Sequence, residues 1–261
     1  METRFRERRD AGASLLAPYL TAGVSADWLD HARAFADAGA DAIEIGVPFS
    51  DPMLDGTAVQ QASQRALERG TTPHAAIAEA SRLSLGIPLI AMTYSNVVHR
   101  HGRAEFCDRL RTGGFAGLIV VDTPHDEAEP LLAAAGAHDI ELVMMIAPST
   151  SDRRVRQITA LSRGFVYAAA VMGPTGERDG VPEAAVQLAA RARQHTTLPV
   201  LLGFGISTPA DAARAARVAD GVAIGSALMR RVLAGAGPAQ TGAYVQAVRA
   251  ALDADRQRPD R

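Results

Sequence analysis

Eight short apolar runs recur along the chain, and none of them alternates apolar with polar residues. They read SLLAPYL (14–20), DAIEIGV (41–47), IPLIAMTY (87–94), AGLIVVD (116–122), IELVMMIA (140–147), GFVYAAA (164–170), LPVLLGFG (198–205) and DGVAIG (220–225). A strand with one wet face alternates, whereas a strand covered on both faces is apolar along its length, as in parallel sheets. Between the runs lie helix-forming stretches such as DWLDHARAFADAGA, DEAEPLLAAAGA, DRRVRQITALSR, PEAAVQLAARARQH and TPADAARAARVA. Many open with Ser, Thr, Asp or Pro and close with Gly, as helices should. Eight strand–helix units predict an α/β fold, a (β/α)8 TIM barrel. The runner-up is a doubly wound open sheet, which usually has fewer strands and a glycine-rich first turn. The first turn here is LTAGVS, with no GxGxxG.

The 261 residues, 48% of them apolar, suit one barrel domain spanning 1–261. The segment 52–86 is longer than one βα unit needs and predicts an extra helix after the second strand. The Arg-rich start, RFRERRD, reads as a short, solvated helix, and TGAYVQAVRAALDADR reads as a last helix before a frayed polar tail, RQRPDR. A net charge of −2 with no basic stripe argues against nucleic acid as a partner. No apolar run approaches the ~18 residues of a membrane span, and no signal-peptide pattern is present. The single cysteine, Cys107, cannot form an intrachain disulfide, which fits a reducing cytoplasm; its EFCDR context reads as a packed thiol in an amphipathic helix. All 27 basic residues are arginine. With no lysine, a Schiff-base mechanism and a P-loop are both excluded.

In a barrel, function gathers at the carboxyl ends of the strands. The second strand carries Glu44 inside an apolar run, on the same face as Ala42 and Gly46. If that face points inward, the carboxyl is desolvated and its pKa rises, which suits an acid/base working near neutral pH. An ion-paired structural Glu is the other reading. The loop SDPMLDG adds Asp51 and Asp55, for which Asp-Pro and Asp-Gly turn chemistry is a sufficient local explanation. No histidine pair or regular oxygen spacing predicts a metal; His99 and His101 in HRHG read as a solvated turn. Gly205, after the seventh strand, and Gly225 and Ser226, after the eighth, offer backbone N–H groups where barrels often hold phosphate. MGPTGERDG (172–180), after the sixth strand, reads as a lid.

Together these motifs resemble the α subunit of tryptophan synthase, a cofactor-free (β/α)8 lyase. The resemblance runs through PYLTAG (18–23), ADAIEIGVPFSDPMLDG (40–56), MTYSN (92–96), GFVYAAAVMGPTG (164–176), GFGIS (203–207) and AIGSA (223–227). It implies retro-aldol cleavage of indole-3-glycerol phosphate to indole and glyceraldehyde 3-phosphate. It assigns Glu44 as general acid/base and Asp55 as the partner of the indole N–H. It places Tyr167 in the indole pocket, Tyr19, Tyr94 and Phe204 at pocket or mouth positions, and Thr175 on the lid, orienting the loop aspartate. It gives Gly176, Gly205, Gly225 and Ser226 as phosphate ligands, and Asp51 and Pro52 as contacts to a β subunit in an α2β2 assembly. Departures from the family pattern fall in loops: TAGVS after the first strand, Thr57, Pro174 and DTPHDEAE. None removes an implied catalytic group. Two other roles are compatible with the chain: a stand-alone indole-3-glycerol phosphate lyase, or a non-catalytic activator of a β subunit.

Overall fold

The structure, a computed structural model, describes residues 1–169, 183–203 and 205–256. Along the chain run α1 (Glu2–Asp10), β1 (Leu15–Thr21), α2 (Trp28–Asp37), β2 (Ile43–Gly46), α3 (Thr57–Glu68), α4 (Pro73–Ala80), β3 (Leu89–Thr93) and α5 (Ser95–His99). Then come α6 (Arg103–Thr112), β4 (Phe115–Val120), α7 (Glu129–Ala137), β5 (Glu141–Ile146), α8 (Asp152–Leu161), β6 (Val166–Ala169) and α9 (Glu183–Arg193). The chain closes with β7 (Val200–Gly203), α10 (Pro209–Ala216), β8 (Gly221–Ile224), α11 (Ser226–Leu233) and α12 (Pro238–Arg256). A short 3₁₀ turn at His125–Glu127 precedes α7.

The eight strands pair in sequence order and all in parallel, and β8 pairs with β1 to close the barrel. The strands are almost wholly buried, because helices cover their outer faces and side chains fill the interior. That double covering explains the unbroken apolar runs. The expected extra helix after the second strand is present: α3 and α4 both lie between β2 and β3. Cys107 is fully buried in α6, and burial pushes its thiol up to about 11, so it is packed rather than nucleophilic.

The N-terminal segment corrects one expectation. RFRERRD is helical, but it is not simply solvated, because Phe5 is fully buried with its ring 5.7 Å from Phe165, the residue before β6. The amino group of Met1 pairs with Glu141 Oε1 at 3.2 Å, and Arg8 pairs with the buried Asp41 at 2.8 Å. The helix is therefore pinned beneath the barrel by one aromatic anchor and by charges at its rim. The far end of the barrel, where the strands finish, is left for the site.

Candidate active site

β2 positions Glu44 between Tyr19 on β1 and Ile90 on β3, in register with both. The side chain points inward, as the alternation with Ala42 and Gly46 implied, and lines a cavity at the strand ends. Only 1% of Glu44 is exposed, and among the described residues its Oε1 has no hydrogen-bond partner. Among the described residues no cation pairs with Glu44, which weighs against the ion-paired reading. Burial raises its pKa to about 8.

Asp55 reaches the same cavity from the loop after β2. Two turn bonds fold this loop, Met53 N–H to the Asp51 carbonyl at 2.8 Å and Asp55 N–H to the Pro52 carbonyl at 3.1 Å. Tyr94, which precedes α5, then fastens it. Its hydroxyl donates to Asp55 Oδ2 at 3.2 Å and accepts from the Leu54 N–H at 3.1 Å, while its ring stacks on Phe49. Burial raises the Asp55 pKa to about 6, and the Tyr94 bond restrains that rise. Asp55 is thus both a turn residue and a wall of the cavity. Tyr94 stands behind it, lining a smaller neighbouring cavity with Pro52.

Tyr19 and Tyr167 complete the inner wall, both buried. Tyr19 Oη lies 3.1 Å from Thr21 Oγ1. Each ring crosses a strand glycine: a Cβ on Gly46 would overlap the Tyr19 hydroxyl, and one on Gly203 would overlap that of Tyr167. These two glycines therefore make room for the tyrosines. Desolvation first, then the nearby carboxylates, hold both phenols above their usual range, so they stay neutral.

Gly205, Gly225 and Ser226 line the same cavity. Gly205 has φ +81°, a conformation that other residues rarely adopt. Gly225 precedes α11, so the free N–H groups of that helix start face the cavity. Gly56 brings the β2 loop close, since a Cβ there would lie 3.5 Å from Ser226 Oγ. Thr175, Gly176, Phe204 and the expected lid, MGPTGERDG, lie outside the described residues.

The sequence reading did not single out Arg230. It sits one helical turn beyond Ser226 on α11, and helix side chains lean toward the N-terminus, so it returns to the cavity mouth. Nη2 donates to Ser207 Oγ at 3.2 Å, and among the described residues no carboxylate pairs with this guanidinium. The i, i+4 spacing from Ser226 was the available signal, but the RR dipeptide resembles ordinary surface charge. Asp51 is exposed and accepts a bond from Ser50 Oγ at 2.5 Å. Beside it two apolar side chains face solvent, Met53 at 86% exposure and Leu54 at 57%.

Comparison with known proteins agrees with this geometry. A family model described as tryptophan synthase alpha chain matches residues 5–255. The chain is 43% identical over 233 residues to the tryptophan synthase alpha chain of Chloroflexus aurantiacus, covering 87% of this chain and 88% of that one. It is also 43% identical over 241 residues to that of Nitratidesulfovibrio vulgaris, covering 90% and 93%. Among solved structures, a chain of Mycobacterium tuberculosis tryptophan synthase superposes with a TM-score of 0.89 at 34% identity, covering 96% of each chain. The alpha subunit from Legionella pneumophila superposes at 0.83 with 28% identity, covering 97% of each. On these grounds, and with Glu44 and Asp55 converging on one cavity at the barrel mouth, the chain belongs to the tryptophan synthase alpha chain family.

Proposed function

We propose that Glu44 and Asp55 carry out the carbon–carbon lyase reaction of this family, the cleavage of indole-3-glycerol phosphate to indole and glyceraldehyde 3-phosphate. The observation that carries the reading is two carboxyls facing one cavity with separated pKa values, about 8 for Glu44 and about 6 for Asp55. Near neutral pH Glu44 holds its proton while Asp55 is ionised, and such a pair can act as acid and anion together. Glu44 delivers a proton to C3 of the indole, which makes the ring a cationic leaving group. The bond from C3 to the glycerol arm then breaks, its electron pair returns to the ring, and the adjacent hydroxyl loses its proton as its carbon becomes the aldehyde. Glu44, now a carboxylate, accepts that proton. The Asp55 carboxylate beside the ring N–H stabilises the cation, and the protonated indole serves as its own electron sink. The buried Tyr19 and Tyr167 rings supply apolar walls for the indole.

The phosphate takes the end of the cavity at the start of α11. The start of α11, with Gly205, Gly225 and Ser226, offers N–H donors, and the Arg230 guanidinium adds the counter-charge. On this reading Arg230 meets the phosphate rather than the bond being broken, so its contribution is uniform binding rather than rate. Arg230→Ala should raise KM about tenfold with kcat within about twofold of the parent. Steady-state kinetics at fixed ionic strength measure both, and an unchanged KM would remove Arg230 from the site.

The exposed Met53 and Leu54, next to Asp51 and Pro52, support a β subunit as the partner, since tandem exposed apolar side chains on a loop are costly unless covered. Family membership across nearly the whole chain favours the biosynthetic α-chain role over a stand-alone lyase or a non-catalytic activator. Among the described residues no helix is long and apolar enough to cross a membrane. The test is indole release from indole-3-glycerol phosphate by the purified chain, with and without its cognate β chain. A rate increase of about tenfold or more on adding β is expected, on the scale of ordinary allosteric coupling. No cleavage under either condition would overturn the lyase reading, and cleavage indifferent to β would overturn the partnership.

A further inference from the structure

Away from the barrel mouth, three potential metal ligands converge from separate parts of the chain. His74 is the second residue of α4, His101 lies in the link between α5 and α6, and Glu105 sits in the first turn of α6. One ligand atom from each lies within 4.8 Å of the others. The imidazoles face each other with centroids 4.7 Å apart and planes tilted by 39°. Gly102, at φ +93°, gives the turn that carries His101 back over α4. The sequence reading of HRHG as a solvated turn is right about exposure, but the neighbour of His101 is His74, not His99.

We propose that His74, His101 and Glu105 form a surface site for a divalent metal that prefers nitrogen donors, of the zinc, nickel or copper class. Two imidazoles and one carboxylate, with a position left to water, are a familiar donor set for such ions. The carboxylate is prepared for the task. Arg109 donates to Glu105 Oε1 twice, from Nε at 3.1 Å and Nη2 at 2.6 Å, which leaves Oε2 for the ion. An outer-shell cation that orients a ligating carboxylate is a common device. Arg109 and Arg100 raise the local positive potential. That potential disfavours magnesium or calcium, which bind oxygen ligands chiefly through charge, more than ions whose bonds to imidazole are partly covalent. Four-coordinate zinc needs donors closer than 4.8 Å, and exposed His101 and Glu105 have the rotamer freedom to close in.

Bound metal would join α4, the extra helix between β2 and β3, to the segment after β3 that begins with Tyr94. The test is isothermal titration of the untagged chain with Zn²⁺ at neutral pH, alongside melting curves. One equivalent should bind, and the melting temperature should rise with it. His101→Ala and His74→Ala should each weaken binding by about tenfold or more and abolish the melting shift, because a lost ligand costs at least as much as a lost outer-shell partner. His99→Ala should bind as the parent does. No saturable binding by the parent, or equal binding by His101→Ala, overturns the site.

Discussion

Glu44→Gln is expected to lower kcat for indole-3-glycerol phosphate cleavage by about 10²–10⁴-fold, the usual worth of a positioned general acid/base. Gln keeps the shape of the side chain but can neither give nor take a proton, so KM should stay within a few fold. The cavity wall is unchanged by the swap, because Glu44 Oε1 has no partner to lose among the described residues. The parent should show a bell-shaped pH dependence of kcat/KM. Activity rises through about pH 6 as Asp55 ionises, and falls through about pH 8 as Glu44 loses its proton. Stability supplies the control. Between the ordinary value of 4.5 and about 8, native Glu44 retains a proton that the unfolded chain has released. The contribution of this group to stability therefore falls as pH rises through that window. Gln carries no such dependence, so the variant should melt no lower than the parent at pH 8. A variant that folds and keeps more than about a tenth of the parent kcat would take Glu44 out of the proton-transfer role.

The placement of Glu44 was readable before any coordinates, and the reason is periodicity. A period of two along DAIEIGV puts Glu44 on the face of Ala42 and Gly46, and barrel closure turns that face inward. The same local regularity located all eight strands to within two residues at either end. What local pattern could not supply was contact between distant segments. Nothing near Phe5 says that it will meet Phe165, and the arginines around it suggest solvent. Arg230 looks like one of two adjacent surface cations until helix geometry returns it to the cavity and pairs it with Ser207. Nothing within SDPMLDG says which way Met53 and Leu54 point, and the prolyl turn holds both outward. Asp51 and Asp55 were locally equivalent turn formers. Tyr94 distinguishes them, because its hydroxyl reaches Asp55 and the Leu54 N–H on the same loop.

That distinction sets the second large effect. Asp55→Asn should lower kcat by about 10²–10³-fold, comparable to losing one preorganised electrostatic group. The amide retains an oxygen able to accept the indole N–H, so hydrogen bonding alone should survive and KM should change little. What disappears is the negative charge, and charge matters only once C3 is protonated and the ring becomes a cation. The loss therefore falls on the transition state rather than on binding. Tyr94→Phe separates charge from position, because it removes the 3.2 Å bond to Asp55 Oδ2 and the bond from Leu54 while leaving the carboxylate in place. It also removes the interaction that restrains the Asp55 pKa, so the acid limb of the pH profile should move upward. Its kcat at the pH optimum should fall by about tenfold, far less than for Asp55→Asn. If the two variants lose activity equally, position and not charge is the contribution of Asp55. If Asp55→Asn retains near-parental kcat, the cation needs no carboxylate, and the stabilising charge must come from elsewhere in the site.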